Sequence, residues 1–363
     1  MSDTTPRRAT RPRLRPDVLT VGIDIGGTKV LAGVVDGFGN VIERLRRPTL
    51  GSDVAAVEDT IVEIVGEFRS RHALAAVGIG AAGFVDATRS VVMFAPHLAW
   101  RNEPLRAAVA ERVRLPVVVD NDANAAGLAE CRFGAGIGHR YVMCATLGTG
   151  IGGALLIDGR IHRGANGMAG ELGHIQMVEG GHRCPCGNRG CLEQYASGRA
   201  LEREARELIA ANSPVAHRLA DICGGDPTRL TGPDVTDAAK EGDPLSIVLL
   251  AAVGRGLGVG LAGFAAAFDP SLVIIGGGVS EAGELLLEPT RKGFARALVG
   301  RGFRAEPPIV VAKLGPEANF IGAADMARSA ARRSLRSRRR STDRERRREP
   351  RLLGEGWFRR PLD

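Results

Sequence analysis

No uncharged apolar run in this chain of 363 residues reaches the roughly 18 or more that a membrane span needs. The nearest approach, Leu245 to Phe268, is interrupted by Arg255 and five Gly, so no membrane partner is expected. The N-terminus carries Arg but no long apolar segment before the first strand, which argues against a cleaved signal and for a cytoplasmic protein. Cysteine is sparse. Six in a chain this long do not make a disulfide scaffold, and three of them fall within eight residues, a pattern of metal binding in a reducing compartment. Lysine is nearly missing: 4 of the 49 basic residues are Lys, which we read as the base composition of a GC-rich bacterial genome rather than as physics.

What is present is enough for two domains, with 44% hydrophobic and 25% charged residues. The net charge of +8 first suggests a nucleic-acid or membrane-surface binder. Its distribution says otherwise. Residues 332–363 carry +8, residues 1–16 carry +4, and residues 17–331 carry −4. Both ends are expected to be disordered basic tails. The C-terminal tail has 11 Arg in residues 332–351 without interleaved aromatics, so binding of nucleic acid or another polyanion there would be nonspecific and salt-sensitive.

Apolar spacing predicts a strand over Val18–Ile25, a turn at Gly26-Gly27, a strand over Val30–Val35 and a hairpin edge at Asn40–Arg44. It then predicts a helix over Val54–Arg69, a strand over Ala75–Ile79, a helix over Leu105–Val113 and a strand over Val117–Val119. The pattern restarts with strands at Val142–Leu147 and Ala154–Ile157 around Gly148–Gly153. Gly26 overlays Gly148, Gly27 overlays Thr149, and Asp36-Gly37 overlays Asp158-Gly159, each pair ten residues beyond its turn. The overlay suggests two similar α/β domains facing across a cleft, although a single overlay also arises by chance. Helices dominate Leu192–Ala267; strands follow at Leu272–Ile275 and Ile309–Ala312, and a helix at Asn319–Ser329.

Several segments exceed what their local structure needs. Asp24-Ile-Gly-Gly-Thr-Lys29 has two Gly whose backbone can approach a phosphate, with Thr28 and Lys29 to add a hydroxyl and a charge. Asp24 is placed to hold the shell of a Mg²⁺ ion. Leu147-Gly-Thr-Gly-Ile-Gly-Gly153 is a second such turn, weak alone and stronger as a pair. Gly276-Gly277-Gly278 follows a buried strand and suits a nucleotide, but a tight strand-to-helix connection explains it equally well.

His174-x9-Cys184-Pro-Cys186-x4-Cys191 supplies three thiolates and an imidazole, a closed tetrahedral set for structural Zn²⁺. Cys131, Cys144 and Cys223 are scattered in apolar or Gly-rich context and are expected to be packing residues. Asp120-Asn121-Asp122-Ala-Asn124 follows a strand and opens a helix. One of these residues is expected to cap it, and a carboxylate at that strand end could take a proton from an attacking hydroxyl. Glu171, His174 and Glu193 bracket the cysteine loop, and their carboxylates suit a sugar with vicinal hydroxyls.

Together Asp24–Lys29, Gly80-Ala-Ala-Gly83-Phe-Val-Asp86, Asn121-Asp122, Leu147–Gly153, Glu171-Leu-Gly-His174, Cys184-x-Cys-Gly-x-x-Gly-Cys-x-Glu193 and Gly276–Gly278 resemble the ROK family of bacterial sugar kinases and repressors. Phe94-Ala-Pro-x-x-x-Trp100-Arg-x-Glu-Pro-Leu105, Glu193-Gln-Tyr-Ala-Ser-Gly-Arg199 and Phe268-Asp-Pro270 look most like its actinobacterial glucokinase branch. The resemblance covers about residues 18–331. It implies an actin-like ATPase/hexokinase-type (ribonuclease H-like) duplicated α/β fold, with two domains around a cleft. The small domain would comprise residues 17–120 plus about 313–331, and the large one residues 121–312 with a zinc loop at 174–193.

The resemblance further implies transfer of the γ-phosphoryl group of ATP to the 6-hydroxyl of glucose, with Asp122 as the base. Gly83, Asn121, Asp122, Glu171, His174 and Glu193 would hold the sugar. Asp24, Gly26, Gly27, Thr28, Lys29, Gly148, Thr149, Gly150, Gly276, Gly277 and Gly278 would hold ATP and Mg²⁺, and His174, Cys184, Cys186 and Cys191 would hold Zn²⁺. A homodimer or homotetramer is common among similar proteins. His97 departs from the family's pattern, in which relatives usually have Asn before the Trp. Polyphosphate as donor and mannose or an N-acetylated hexose as acceptor stay open. A sugar-responsive repressor of the same family is disfavoured, because only 17 residues precede the first strand.

Overall fold

The computed structural model describes residues 18–49, 51, 53–95 and 98–332. His97 and the two basic tails lie outside them, apart from Arg332. Two five-stranded mixed sheets form the frame. The first contains β1 (Leu19–Ile25), β2 (Lys29–Val35), β3 (Val41–Pro48), β4 (Leu74–Ala81) and β8 (Val117–Asn121), in the order β3-β2-β1-β4-β8. The second contains β9 (Val142–Leu147), β10 (Ile151–Ile157), β11 (Arg160–Ile161), β12 (Leu272–Gly276) and β13 (Ile309–Val311), in the order β11-β10-β9-β12-β13.

In each sheet an antiparallel hairpin and its edge strand are followed by two parallel strands. The overlaid hairpins occupy matching positions: Ile25 and Leu147 end the first strand, and Lys29 and Ile151 open the second. The repeat is therefore a duplicated sheet. The second turn is shorter than expected, only Gly148–Gly150, because pairing of Ile151 with Leu147 resumes the strand at once.

A small sheet, unforeseen from the pattern, joins β5 (Phe84–Val85), β6 (Val92–Phe94) and β7 (Arg101–Glu103). Strands of two or three residues are too short to show alternation. Helices α1 (Val54–Arg69) and α2 (Leu105–Val113) match their expected bounds. Asp53 caps α1 by accepting the Ala56 amide at 3.1 Å, and Val57, Ile61, Ile64, Val65 and Phe68 bury one face in the core of the first sheet.

The second sheet is covered by α4 (Glu193–Ala196), α5 (Gly198–Ala210), α6 (His217–Ile222), α7 (Gly232–Lys240), α8 (Pro244–Phe268) and α9 (Glu284–Ala297). Helix α8 is long and apolar enough to cross a membrane by composition alone. Its Leu250, Val253, Leu257, Leu261 and Phe264 are instead buried in the second core.

Two further helices join the halves. Helix α3 (Asp122–Phe133) packs with β9, β10 and the last helix, α10 (318–332), around a shared core. Helix α10 lies on the first sheet at backbone contact. A Cβ on Gly22 would fall 1.7 Å from the Phe320 carbonyl oxygen, and one on Gly78 would fall 1.9 Å from that of Ala323. Gly22 and Gly78 are direct neighbours across β1 and β4, so these two glycines make the seat for the helix. Arg328, fully buried, fastens α10 by donating to the Val35 carbonyl and Thr20 hydroxyl, both at 2.8 Å.

Candidate active site in the cleft

Register sets the site. Ile25, Ala81 and Asn121 lie side by side across β1, β4 and β8, so the residues after each strand emerge along one sheet edge. In the second sheet Gly276 pairs with Thr146, which brings Gly148 and Gly277 to the corresponding edge. Open α/β sheets bind ligands at such carboxyl ends. A cleft of about 470 Å³ lies there, lined by Gly83, Asn121, Asp122, Gly148–Gly150, Glu171, His174, Glu193, Gly276 and Gly277 among others.

The other proposed phosphate residues stand differently. Gly26, Gly27, Thr28 and Lys29 form the β1–β2 turn and do not line the cleft, and neither does Gly278. Asp24 reaches the lining through Asn319, whose Nδ2 donates to its Oδ1 at 3.2 Å. Gly276–Gly278 leads into a short 3₁₀ turn, Gly278–Ala282, before α9 begins.

The polar run at 120–124 divides its work. Asn121 is the N-cap of α3: its side-chain oxygen accepts the Asn124 amide at 3.0 Å, while its Nδ2 donates to the Gly83 carbonyl at 3.2 Å. Asp120 is buried and takes the guanidinium of Arg163 at 2.5 and 3.0 Å. Asp122 is the first helical residue and accepts the Ala123 amide at 2.9 Å. Gly83 is glycine because a Cβ would fall 2.4 Å from the Phe94 carbonyl oxygen.

Three acids share one field. Burial pushes Asp122 up to about 6, against the lowering effect of the Ala123 amide and the Asn121 side chain. Burial, followed by the Asp122 charge, pushes Asp24 up to about 7, offset in part by Asn319 and Lys29. Burial and the charges of Asp122 and Glu193 push Glu171 up to about 7. Such clustering of raised carboxylates in a cleft marks a candidate catalytic site.

The cysteine loop closes the far side. His174 Nδ1 lies 3.6 Å from Cys184 Sγ, and Cys186 Sγ lies 3.7 Å from Cys191 Sγ; all four candidate ligand atoms fall within 4.8 Å of one another. Zinc–sulfur bonds of about 2.3 Å and zinc–nitrogen bonds of about 2.0–2.1 Å put tetrahedral neighbours about 3.5–3.8 Å apart, so the set fits Zn²⁺. Burial and the neighbouring thiols push Cys191 up to about 12, a cost that a cation removes. Gly190, at φ +73°, turns the loop where a Cβ would fall 1.6 Å from the Val178 carbonyl oxygen. Cys131, Cys144 and Cys223 are buried elsewhere.

Sequence reasoning assigned no role to Asn319, Arg163 or Glu130. Their partners are 295, 43 and 184 positions away, and no local spacing signals such contacts.

The ROK family model matches residues 20–330. The chain is 48% identical over 310 residues to a glucokinase of Streptomyces coelicolor, covering 85% of this chain and 98% of that protein. A xylose repressor of Caldicellulosiruptor bescii is 31% identical over 309 residues, covering 83% of this chain and 76% of the repressor. Among solved structures, a ROK family glucokinase from Streptomyces griseus in complex with glucose and AMPPNP is 47% identical, with a TM-score of 0.79 over 86% of this chain and 99% of that one. With the duplicated sheets and the cleft between them, these matches establish that the chain belongs to the ROK family.

Proposed function

We propose that this chain is a glucokinase that transfers the γ-phosphoryl group of ATP to the 6-hydroxyl of D-glucose. The observation that carries the reading is the meeting of Asp122, Glu171, Glu193 and His174 with the turns Gly148–Gly150 and Gly276–Gly277 in one cleft. The glucokinases among its relatives add to it.

Phosphoryl transfer needs positioning and charge neutralisation more than covalent chemistry. Asn121, Glu171, His174 and Glu193 hold the sugar hydroxyls. Asp122, at about 6, is ionised at neutral pH yet close enough to it to accept a proton. The 6-hydroxyl gives its proton to Asp122 as its oxygen bonds to the γ-phosphorus; the bond to the bridging oxygen breaks and ADP leaves. The turn Gly148–Gly150, closed by the Gly148 amide on the Gly150 carbonyl at 3.0 Å, would receive the phosphates on its backbone.

Asp24 would hold the water shell of a Mg²⁺ ion, which when bound would neutralise phosphate charge; a divalent cation there would offset the burial and the Asp122 charge that disfavour the ionised carboxylate. Zn²⁺ would be structural, ordering the loop that carries His174 and leads to Glu193. The domain boundaries proposed with this reading are 17–120 plus about 313–331, and 121–312. The location proposed with it is the cytoplasm.

Asp122→Asn tests the base. The expected result is a loss of turnover of about 10³-fold or more with glucose binding retained within a few fold, measured by coupled assay and calorimetry. Near-wild-type turnover would overturn the assignment.

A further inference from the structure

Glu130 is a fully buried acid that the proposed reaction does not use. It sits on α3 two turns after Asp122 and is 2% exposed. Its Oε2 accepts the Ala135 amide at 2.8 Å, and its Oε1 reaches across the fold to accept the Leu314 amide at 2.7 Å. The seat is tight, since a Cβ on Gly134 would fall 2.0 Å from Oε2.

Leu314 lies in the connector 312–319, which leads from β13 on the second sheet through the first two residues of α10 on the first. Ala312, Gly315, Pro316, Ala318 and Asn319 of this connector line the cleft, as does Glu130. The connector also touches the nucleotide side: the Cβ position of Gly276 is 3.1 Å from Ala312 Cβ. Three more contacts hold it: the Ala312 amide on the Ile275 carbonyl of β12 at 2.8 Å, the Arg44–Glu317 ion pair from β3 and the Asn319–Asp24 hydrogen bond to β1. The last two are partly exposed, and of these four contacts the Glu130 bond is the one that comes from the helix that presents Asp122.

We propose that Glu130 is a positioning residue for the phosphoryl-donor side of the cleft, fixing the connector 312–319 against Gly276 through the Leu314 amide. This rests on the donor-side reading of Gly276–Gly277 given above. A carboxylate suits the task because it accepts from two backbone amides at once. An amide in its place would turn an N–H toward one of them. An unsatisfied buried amide then favours a displaced connector.

The experiment compares wild type, Glu130→Gln and Leu314→Pro. The proline variant removes the donor without changing the acid, at a φ of −87° just beyond the range of about −65 ± 15° that the ring imposes. Leu314→Ala, which keeps the amide and loses the side chain packed against the cluster of Ala126 and Phe320, is its control, with an unchanged KM for ATP expected. Steady-state kinetics are measured against ATP and against glucose, with amide exchange of the 312–319 peptide. Glu130→Gln and Leu314→Pro are both expected to raise the KM for ATP about tenfold, to leave the KM for glucose within about twofold, and to lose protection in that peptide. An unchanged KM for ATP, or an equal rise for both substrates, would overturn the proposal. If the wild type fails to phosphorylate glucose, the glucokinase reading fails separately. Calorimetric binding of AMPPNP to the three proteins then decides the matter: about tenfold weakening in both variants supports the role, and unchanged affinity removes it.

Discussion

Glu193 Oε2 accepts the backbone amide of Ile151 at 2.9 Å, which ties the end of the cysteine loop to the turn Gly148–Gly150. One carboxylate thus braces the proposed phosphate turn while its residue lines the cleft beside Glu171 and His174. Gly150 is the third member of this contact, because a Cβ there would fall 2.2 Å from the same oxygen. Gly150→Ala is therefore expected to cut kcat/KM for glucose about 100-fold, measured by coupled assay. Within-twofold activity would separate the turn from the chemistry.

The raised pKa of Asp122 has a rate consequence. Below pH about 6 the proposed base is protonated in the free enzyme, so kcat/KM should fall tenfold per pH unit on the acid side. Asp24 and Glu171, both at about 7, steepen or shift that limb upward. A pH–rate profile flat down to pH 5 would contradict this.

It also has a stability consequence of the opposite sense. Asp122 rises from 3.8 to about 6 on folding, so the folded state holds its proton more tightly and stability falls as pH rises from about 4 through 6. Asp122→Asn should therefore be more stable than wild type at pH 8 by on the order of 2–3 kcal/mol, with the difference vanishing near pH 4. Chemical denaturation at the two pH values checks both the sign and the window.

Metal removal is expected to act on the sugar side. Purified protein should carry zinc by elemental analysis, and Cys191→Ser should lose it. The KM for glucose should rise by about tenfold or more while that for ATP changes less, because the ligand set includes His174 and the chain runs from Cys191 directly to Glu193. A zinc-free protein with unchanged KM for glucose would sever the loop from recognition.

The seat of α10 gives a prediction about folding alone. Gly78→Ala places a methyl group 1.9 Å from the Ala323 carbonyl oxygen. The helix must lift from the sheet, and a loss of at least about 3 kcal/mol is expected by denaturant titration.

Local periodicity made α1, α2 and the paired hairpins legible, because each buries one continuous face whose spacing is visible in a short window. The Cys/His cluster and the two Gly turns were legible as local geometry, because each lies within twenty residues. Asn319 and Glu130 were not, since each matters only after chain ends far apart in sequence meet at the cleft. The division of Asp120, Asn121 and Asp122 into ion pair, cap and proposed base likewise depends on Arg163 and on burial, neither of which a five-residue run contains.

The central claim is tested most directly by initial rates of the purified chain with glucose, mannose and N-acetylglucosamine, each with ATP and with polyphosphate. The account predicts that glucose with ATP gives the highest kcat/KM and that the product is glucose 6-phosphate. Absence of ATP-dependent glucose phosphorylation, or a clear preference for another acceptor or for polyphosphate, would contradict it.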